Sequence, residues 1–240
     1  MIGAFLNALG ILLGALLGLT GNNHLSTRTQ NQIRTALGAL TAFCGLRLVW
    51  ENLSGGLVTG LKQLLLAGLA VVVGSLLGKI FGLQNISNGL GRRAAALLTG
   101  AEKNPPGKPL DGLTAATVLF CAAPLGLLGA ATDGLADYFF PFALKAVMDG
   151  LAMASFVKFF RWPVALAAVP VFFFFNGLTL AVQNLALPWL TANHLLASVN
   201  LTAGLVIGAT ALVVLEVRRV ELANYLPALA VAPLLTQLVA

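Results

Sequence analysis

The chain has 240 residues, of which 58% are hydrophobic and 9% are charged, and its mean hydropathy is +0.91. A soluble domain carries about 25% charged residues, because polar side chains must cover its surface, and this chain has too few of them. The composition therefore excludes an ordinary soluble enzyme and predicts an integral membrane protein. The net charge of +6 does not indicate nucleic-acid binding, because the basic residues lie between apolar segments and form no dense face.

Apolar stretches recur along the whole chain, each long enough to cross a bilayer, which takes about 20 helical residues. They cover residues 2–20, 33–50, 57–82, 113–131, 138–157, 163–183, 195–215 and 222–239. The predicted fold class is an all-α membrane protein of about eight transmembrane helices. The first stretch lacks the cationic start of a signal peptide, so we expect it to be retained as a helix.

The longest polar interruption separates the third apolar stretch from the fourth. It contains Arg92, Arg93 and a proline-rich run over residues 104–109, which cannot continue a helix. We predict a cytoplasmic basic connector over residues 84–111, with a short interfacial helix over 94–99. It would join an N-terminal three-helix unit, residues 1–83, to a C-terminal helical unit, residues 112–240, within one membrane domain.

The basic residues sort unevenly if eight helices cross the bilayer in alternation. Of the 14 Lys and Arg residues, Arg47 and Lys62 fall on one side, Lys145 lies within a span, and the rest fall on the other side. These others are Arg28, Arg34, Lys79, Arg92, Arg93, Lys103, Lys108, Lys158, Arg161, Arg218 and Arg219. Because basic loops collect on the cytoplasmic side, we predict a multi-pass inner (cytoplasmic) membrane protein with both termini outside the cytoplasm.

Two pairs of segments suggest an internal repeat. Residues 36–45 resemble residues 201–210 in their spacing of small residues, and Asn7 and Asn176 lie in similar apolar runs. Helices one and two would then correspond to helices six and seven. Because the offset of five crossings is odd, the copies would have opposite orientations, as in many secondary transporters. The alternative is that spans rich in Gly, Ala and Leu resemble one another by composition alone.

The fourth apolar stretch contains a proline near its centre. Pro124 removes a backbone donor and crowds the carbonyl four residues earlier, so a break is predicted near Cys121. Gly126 and Gly129 would belong to the unwound backbone, whose free carbonyl groups could face an ion or a solute. The alternative is a kink with no role beyond packing.

The fifth apolar stretch contains Lys145 and Asp149, which share one helix face because they are four residues apart. Charges at this depth are costly, and they mark a solute or proton path or pair with each other. A structural ion pair, or an interfacial helix with hydrated charges, is the alternative.

Uncharged polar residues also occur in the spans. The side chains of Asn7, Asn176, Thr179 and Asn200 need partners that lipid does not offer. They either lock helices together or contact a solute. Asp133 is predicted to lie in a loop at the outer surface, near enough to the fourth helix to cap it or to attract a cation.

No catalytic motif accompanies these residues. The sequence has no GxSxG, HExxH or P-loop pattern. His24 and His194 lie far apart in polar connections, and Cys44 and Cys121 lie in apolar stretches, as buried free thiols do. We therefore expect no enzyme activity, no cofactor and no metal site.

Several segments together resemble those of a known protein family, and they occur in the same order along nearly the whole chain. They are residues 1–8, 119–135, 145–150, 176–179 and 224–229. In them the chain resembles the bacterial YdfK/YqgA family of membrane proteins. The resemblance implies a polytopic inner-membrane protein from a family of unknown function whose members are described as candidate transporters.

Together these patterns favour a small-solute or ion secondary transporter, with a polar site near the bilayer midplane and Lys145 and Asp149 as its charged pair. The expected partners are the lipid bilayer, a small solute or ion, and a second copy of the chain in a homodimer. The alternatives are a channel, or a structural or regulatory membrane protein that transports nothing.

Overall fold

The computed structural model describes residues 2–21, 27–103, 109–218 and 220–239. His24, Arg219 and all of the proline-rich run except Pro109, including Lys108, lie outside the described residues. Every regular element within the described ranges is a helix. The α-helices are α1 (Ile2–Thr20), α2 (Thr27–Asn52), α3 (Leu57–Ile80), α4 (Leu83–Lys103), α5 (Pro109–Cys121), α6 (Pro124–Ala136), α7 (Phe140–Phe160), α8 (Ala168–Ala181), α9 (Leu187–Ala192), α10 (Leu196–Val214), α11 (Leu222–Tyr225) and α12 (Ala228–Val239).

The predicted fold class is confirmed. In the described part of the chain, 7 helical stretches are long and apolar enough to cross a membrane, or 8 if a bent pair counts as one span. That pair is α5 with α6, bent by 56°. A 3-10 turn over Trp162–Ala167 and a π-helical turn over Val182–Ala186 flank α8, so the predicted span over 163–183 continues to Ala192.

The region predicted as a connector is more ordered than expected. Instead of a short helix over 94–99, one helix, α4, extends from Leu83 to Lys103. Ser87, Leu90 and Ala94 face inward at helical spacing, and Ala94 is 1% exposed in the core. A hydropathy pattern does not identify such a helix, because its inward face consists largely of small and polar residues.

Contacts divide the chain into two compact units, and neither unit is continuous in sequence. Unit 1 comprises Met1–His24, Asn85–Asp133 and Tyr138–Leu180. Unit 2 comprises Leu25–Gln84, Gly134–Asp137 and Ala181–Ala240. Helices α1 and α7, which lie on opposite sides of the predicted connector in sequence, pack together in unit 1.

In unit 1, close packing of α1 against α7 depends on small residues spaced one turn apart. Gly10, Gly14 and Gly18 of α1 lie against the backbone of α7, and a Cβ atom at Gly14 would overlap the backbone of Gly150. Without a hydrophobic force between helices in lipid, this close approach supplies the van der Waals contact that holds them together. The aromatic core of unit 1, which includes Phe120, Phe142, Phe156, Phe160 and Phe175, surrounds this helix pair.

Unit 2 contains a second helix pair of the same kind. Helices α2 and α10 pack together, and Gly45 lies against the backbone of Gly204 and Gly208. Gly45 belongs to residues 36–45, and Gly204 and Gly208 belong to residues 201–210, the two segments whose similarity suggested a repeat. Packing accounts for their shared spacing of small residues, and the inverted repeat stays a prediction.

Candidate functional site

The two charged residues of α7 form a buried ion pair in unit 1. The Nζ atom of Lys145 donates a hydrogen bond to Oδ2 of Asp149. Lys145 is 1% exposed and Asp149 is 6% exposed, so neither charge is hydrated at the surface. Burial removes the hydration of both ions, and their mutual attraction offsets that cost only when the geometry is good.

Two phenylalanine rings complete the surroundings of the Lys145 ammonium group. Nζ lies 5.7 Å from the ring centroid of Phe120 and 5.2 Å from that of Phe175, within the range of a cation–π contact. Both rings belong to the core of unit 1. Phe120 lies just before the break between α5 and α6, so the ammonium group is next to that break.

An asparagine amide lies beside the ion pair without an ordinary hydrogen bond. Asn7 of α1 is 0% exposed, and its amide is close enough to the Asp149 carboxylate for an electrostatic interaction. Neither Nδ2 nor Oδ1 of Asn7, however, forms a hydrogen bond of ordinary geometry with any residue that the structure describes. A buried polar group without a hydrogen bond costs roughly 1–3 kcal/mol, so a further partner for the Asn7 amide would stabilise this region.

Thr179 is a second unsatisfied group in the same unit. Its hydroxyl is fully buried and has no hydrogen-bond partner among the described residues. Thr202 and Thr210 of α10, by contrast, each donate to the carbonyl four residues earlier. Thr179 follows Phe175 by one turn, so it shares the face of α8 whose ring contacts Lys145.

The predicted break at Pro124 is confirmed, but its position and composition differ in part from the prediction. Helix α5 ends at Cys121 and α6 begins at Pro124, so the non-helical residues are Ala122 and Ala123. Proline is well suited to the first turn of the new helix. Cys121 is a partly buried free thiol within electrostatic range of Lys145, and it adjoins the break.

Gly126 and Gly129 were predicted to be unwound, and that prediction is wrong. Both lie within helix α6, where their lack of a side chain makes room for neighbours. A Cβ atom at Gly126 would overlap the ring of Phe175, and one at Gly129 would crowd the ring of Phe142. These glycines allow the aromatic core to close around Lys145.

Asp133 does not lie in a surface loop as predicted. It is 3% exposed within α6, and its Oδ2 accepts a hydrogen bond of 3.3 Å from the backbone N–H of Gly3. A carboxylate at this position stabilises the first turn of α1 by binding a free N–H group and by complementing the helix dipole. The carboxylate therefore acts as a long-range cap of α1.

The remaining predicted site residues are not part of the buried cluster. Asn200 lies in unit 2, where its amide donates to Oδ1 of Asn52 at 3.0 Å. Asn176 is half-buried on α8, next to Phe175. The structure thus brings Asn7, Cys121, Lys145 and Asp149 together near the break at Pro124.

Helix α4 and the break form a cleft that the sequence analysis did not predict. The cleft has a volume of about 540 Å³. Its lining from α4 includes Ser87, Asn88 and Arg92, and its lining from the break includes Ala122 and Ala123. The Ser87 hydroxyl donates to the Ala122 carbonyl at 3.4 Å, which connects α4 to the non-helical residues. The helical spacing of residues 87, 90 and 94 was the sequence signal that could have revealed helix α4 and, with it, this cleft.

Among the described residues, no three His, Cys, Asp or Glu side chains are grouped as a metal site would require.

Two relatives of this chain have names that state no function. The chain is 29% identical over 234 residues to "Uncharacterized protein YqgA" of Escherichia coli (strain K12), covering 97% of this chain and 94% of that protein. It is 22% identical over 233 residues to "Uncharacterized membrane protein YdfK" of Bacillus subtilis (strain 168), with the same coverage of both. No solved structure matches the chain.

The family of the chain follows from a match over almost its full length. The family model described as "Protein of unknown function (DUF554)" matches residues 2–237. That range includes every described residue of the buried cluster, the break and the cleft, and all the candidate spans except the last two residues of Leu222–Val239. This chain is therefore a multi-span membrane protein that belongs to the DUF554 family.

Proposed function

We propose that this protein is a secondary transporter of a small anion, coupled to a proton or a metal cation, and that the Lys145–Asp149 pair is its charge-bearing site. The observation that supports the proposal best is a fully buried ion pair beside an unsatisfied amide in a membrane protein. Ionisable residues inside membrane helices are rare and commonly mark transport paths. In this proposal the protein catalyses no chemical reaction.

Charge balance explains how such a pair can serve coupled transport. When the pair is closed, the two charges compensate each other within the apolar core. When the pair opens, Lys145 binds the anion and Asp149 binds the proton or cation, so that the loaded site is again neutral. A neutral loaded site avoids the cost of moving a net charge through a medium of low dielectric constant.

The amide and the helix break supply what an opened pair needs. The Asn7 amide group interacts with the Asp149 carboxylate, and its Oδ1 atom has no hydrogen-bond partner among the described residues, so Oδ1 can bind a ligand without first losing another hydrogen bond. The break at Ala122–Ala123 adjoins Phe120, whose ring contacts Lys145. Broken helices beside a polar site are a recurring feature of transporters.

Uptake into liposomes tests the proposal. The purified protein is reconstituted, and uptake of radiolabelled lactate, succinate, glutamate and phosphate is measured under an inward proton or sodium gradient. We expect saturable uptake of at least one anion above that of empty liposomes. Asp149→Asn and Lys145→Met should each lower this uptake by more than about tenfold, because a buried charge contact is worth about 2–5 kcal/mol.

The exposed ion pair of α2 provides the matched control. Arg47 and Glu51 have the same four-residue spacing as the buried pair but are 49% and 45% exposed, so Glu51→Gln should transport as the wild type does. Uptake that rises linearly without saturation would favour the channel alternative. Absence of uptake for all four anions under both gradients, or uptake unchanged by Asp149→Asn, would contradict the proposal.

We further propose that the protein resides in the inner (cytoplasmic) membrane as a homodimer, with both termini outside the cytoplasm. The uneven distribution of basic residues supports the orientation. Alkaline phosphatase fused after the C-terminus should be active in the periplasm of a Gram-negative host, and an inactive fusion that is nevertheless expressed would reverse the orientation. Mass measurement of the protein in nanodiscs should give two copies per disc, and a single copy would exclude the dimer.

A further inference from the structure

The cleft between α4 and the helix break has the size and lining of a ligand site. Its volume of about 540 Å³ lies within the range of small-molecule pockets, about 300–1,000 Å³. Arg92 is the only charged residue of its described lining, and that lining contains no acidic residue. The remaining lining is small, apolar or uncharged, so the described lining carries one positive charge and no negative charge.

Arg92 is available to a ligand. Its guanidinium group forms no ion pair with any residue that the structure describes. The planar guanidinium group presents several N–H donors in a fork that matches a carboxylate or a phosphate. The neighbouring residue Arg93 is exposed on the same helix but does not line the cleft.

Gly91 keeps the cleft open. It lines the cleft beside Arg92, and a Cβ atom built on it would meet no atom within 4 Å. The close contacts that explain Gly10, Gly14 and Gly18 therefore do not explain this glycine. In the middle of a helix, Gly costs about 1 kcal/mol relative to Ala, and the space that it leaves is part of the cleft.

We propose that this cleft is an anion-binding site, in which Arg92 binds the carboxylate or phosphate group of a ligand. The anion has two sources, a small solute or the headgroup of an anionic lipid, and the same chemistry binds both. The cleft opens beside the break that adjoins the buried pair, so it could admit a transported solute. That role rests on the proposed function. As a binding site it is tested independently of transport.

Thermal unfolding of the full chain in nanodiscs tests the inference in two arms. In phosphatidylcholine nanodiscs, inorganic phosphate is titrated at constant ionic strength set with chloride. In the second arm, phosphatidylglycerol replaces part of the phosphatidylcholine. A ligand that binds only the folded protein raises the unfolding midpoint, so we expect a saturable rise in at least one arm, and that arm identifies the source of the anion.

Two pairs of variants on α4 separate the cleft from general surface charge. Arg92→Gln should weaken binding about ten- to hundredfold, the loss expected for a charge-assisted hydrogen bond, whereas Arg93→Gln should leave it nearly unchanged. Gly91→Leu should fill the cleft and abolish binding without lowering the midpoint of the unliganded protein. Gly89→Leu is its control, because Gly89 also has open space around its Cβ position but does not line the cleft.

Three results would overturn the inference. The first is that the unfolding midpoint does not rise in either arm. The second is that Arg92→Gln and Arg93→Gln weaken anion binding equally, and the third is that Gly91→Leu binds the anion as the wild type does. The two proposals can fail separately. If Asp149→Asn abolishes uptake but still binds phosphate, both sites are supported. If the wild-type protein shows no more uptake than empty liposomes, the transport proposal is refuted, but phosphate binding at the cleft would still support the anion-binding site.

Discussion

The two units pack their helices in the same way but differ in the hydrogen bonding of their buried polar groups. Each has a pair of helices in close contact through glycine, α1 with α7 in unit 1 and α2 with α10 in unit 2. In unit 2, the amide of Asn200 is bonded to Asn52, and the hydroxyl groups of Thr202 and Thr210 are bonded within their own helix. In unit 1, Asn7 and Thr179 are buried without such partners, in the same core as an ion pair.

Under the proposed function, this difference separates polar groups that only hold helices together from polar groups that bind a ligand. A satisfied buried amide contributes to stability and fixes the contact between two helices. An unsatisfied one lowers stability, and in our proposal a ligand completes its hydrogen bonds. The comparison predicts that loss of the bonded Asn200 amide in unit 2 changes stability, whereas loss of the Asn7 amide in unit 1 changes transport more than stability.

The largest expected effect on stability comes from removing one charge of the buried pair. Asp149→Asn leaves Lys145 buried without its counter-charge, so the free energy of unfolding should fall by about 3–5 kcal/mol. Unfolding in mixed micelles of dodecyl maltoside and dodecyl sulfate measures this. Glu51→Gln, which breaks the exposed pair on α2, should lower the free energy of unfolding by only about 0.2–1 kcal/mol.

A double substitution distinguishes a structural pair from a functional one. Lys145→Met/Asp149→Leu replaces both charges with apolar side chains of similar volume, which is commonly neutral or stabilising for a buried pair. We expect it to restore wild-type stability but not anion uptake. If the double variant were both stable and active in uptake, the pair would have no role in transport.

The glycine contact of α1 with α7 should give the next largest effect. At Gly14 a methyl group would overlap the backbone of Gly150, so Gly14→Ala should destabilise the protein by about 1–3 kcal/mol through overpacking. At Gly68 of α3 a Cβ atom meets nothing within 4 Å. Gly68→Ala should therefore be neutral or stabilise the protein by up to about 1 kcal/mol. Equal effects of both substitutions in the same unfolding assay would refute the assigned close contact.

The sequence identifies the residues of the buried site better than it identifies how the site is assembled. Lys145, Asp149, Asn7 and Thr179 stand out because a polar side chain in an apolar span has no partner in lipid. Pro124 likewise predicts a break, because the effect of proline on a helix is local. The local pattern alone thus points to the cluster and the broken helix.

Features that depend on long-range contacts could not be predicted in the same way. Asp133 is buried because the first turn of α1, 130 residues earlier in the chain, donates a backbone N–H group to it. Helix α4 was missed because its inward face is small and polar, so that hydropathy marks it as a connector. The spacing of Gly10, Gly14 and Gly18 was a usable signal for close packing, although it does not name α7 as the partner.

Two asparagine substitutions with small expected changes in stability are the most informative about the two units. Asn200→Ala removes a satisfied hydrogen bond and should lower the free energy of unfolding by about 0.5–1.5 kcal/mol, while uptake per folded molecule stays unchanged. Asn7→Leu removes an unsatisfied amide from an apolar core, so the free energy of unfolding should stay level or rise, because unpaired buried polar atoms are eliminated. Uptake should nevertheless fall, since the ligand loses the partner beside Asp149. The contrary result is that Asn7→Leu destabilises the protein as Asn200→Ala does and leaves uptake intact. The Asn7 amide would then be a structural group like those of unit 2, and the distinction between the two units would fail at the residue on which it most depends.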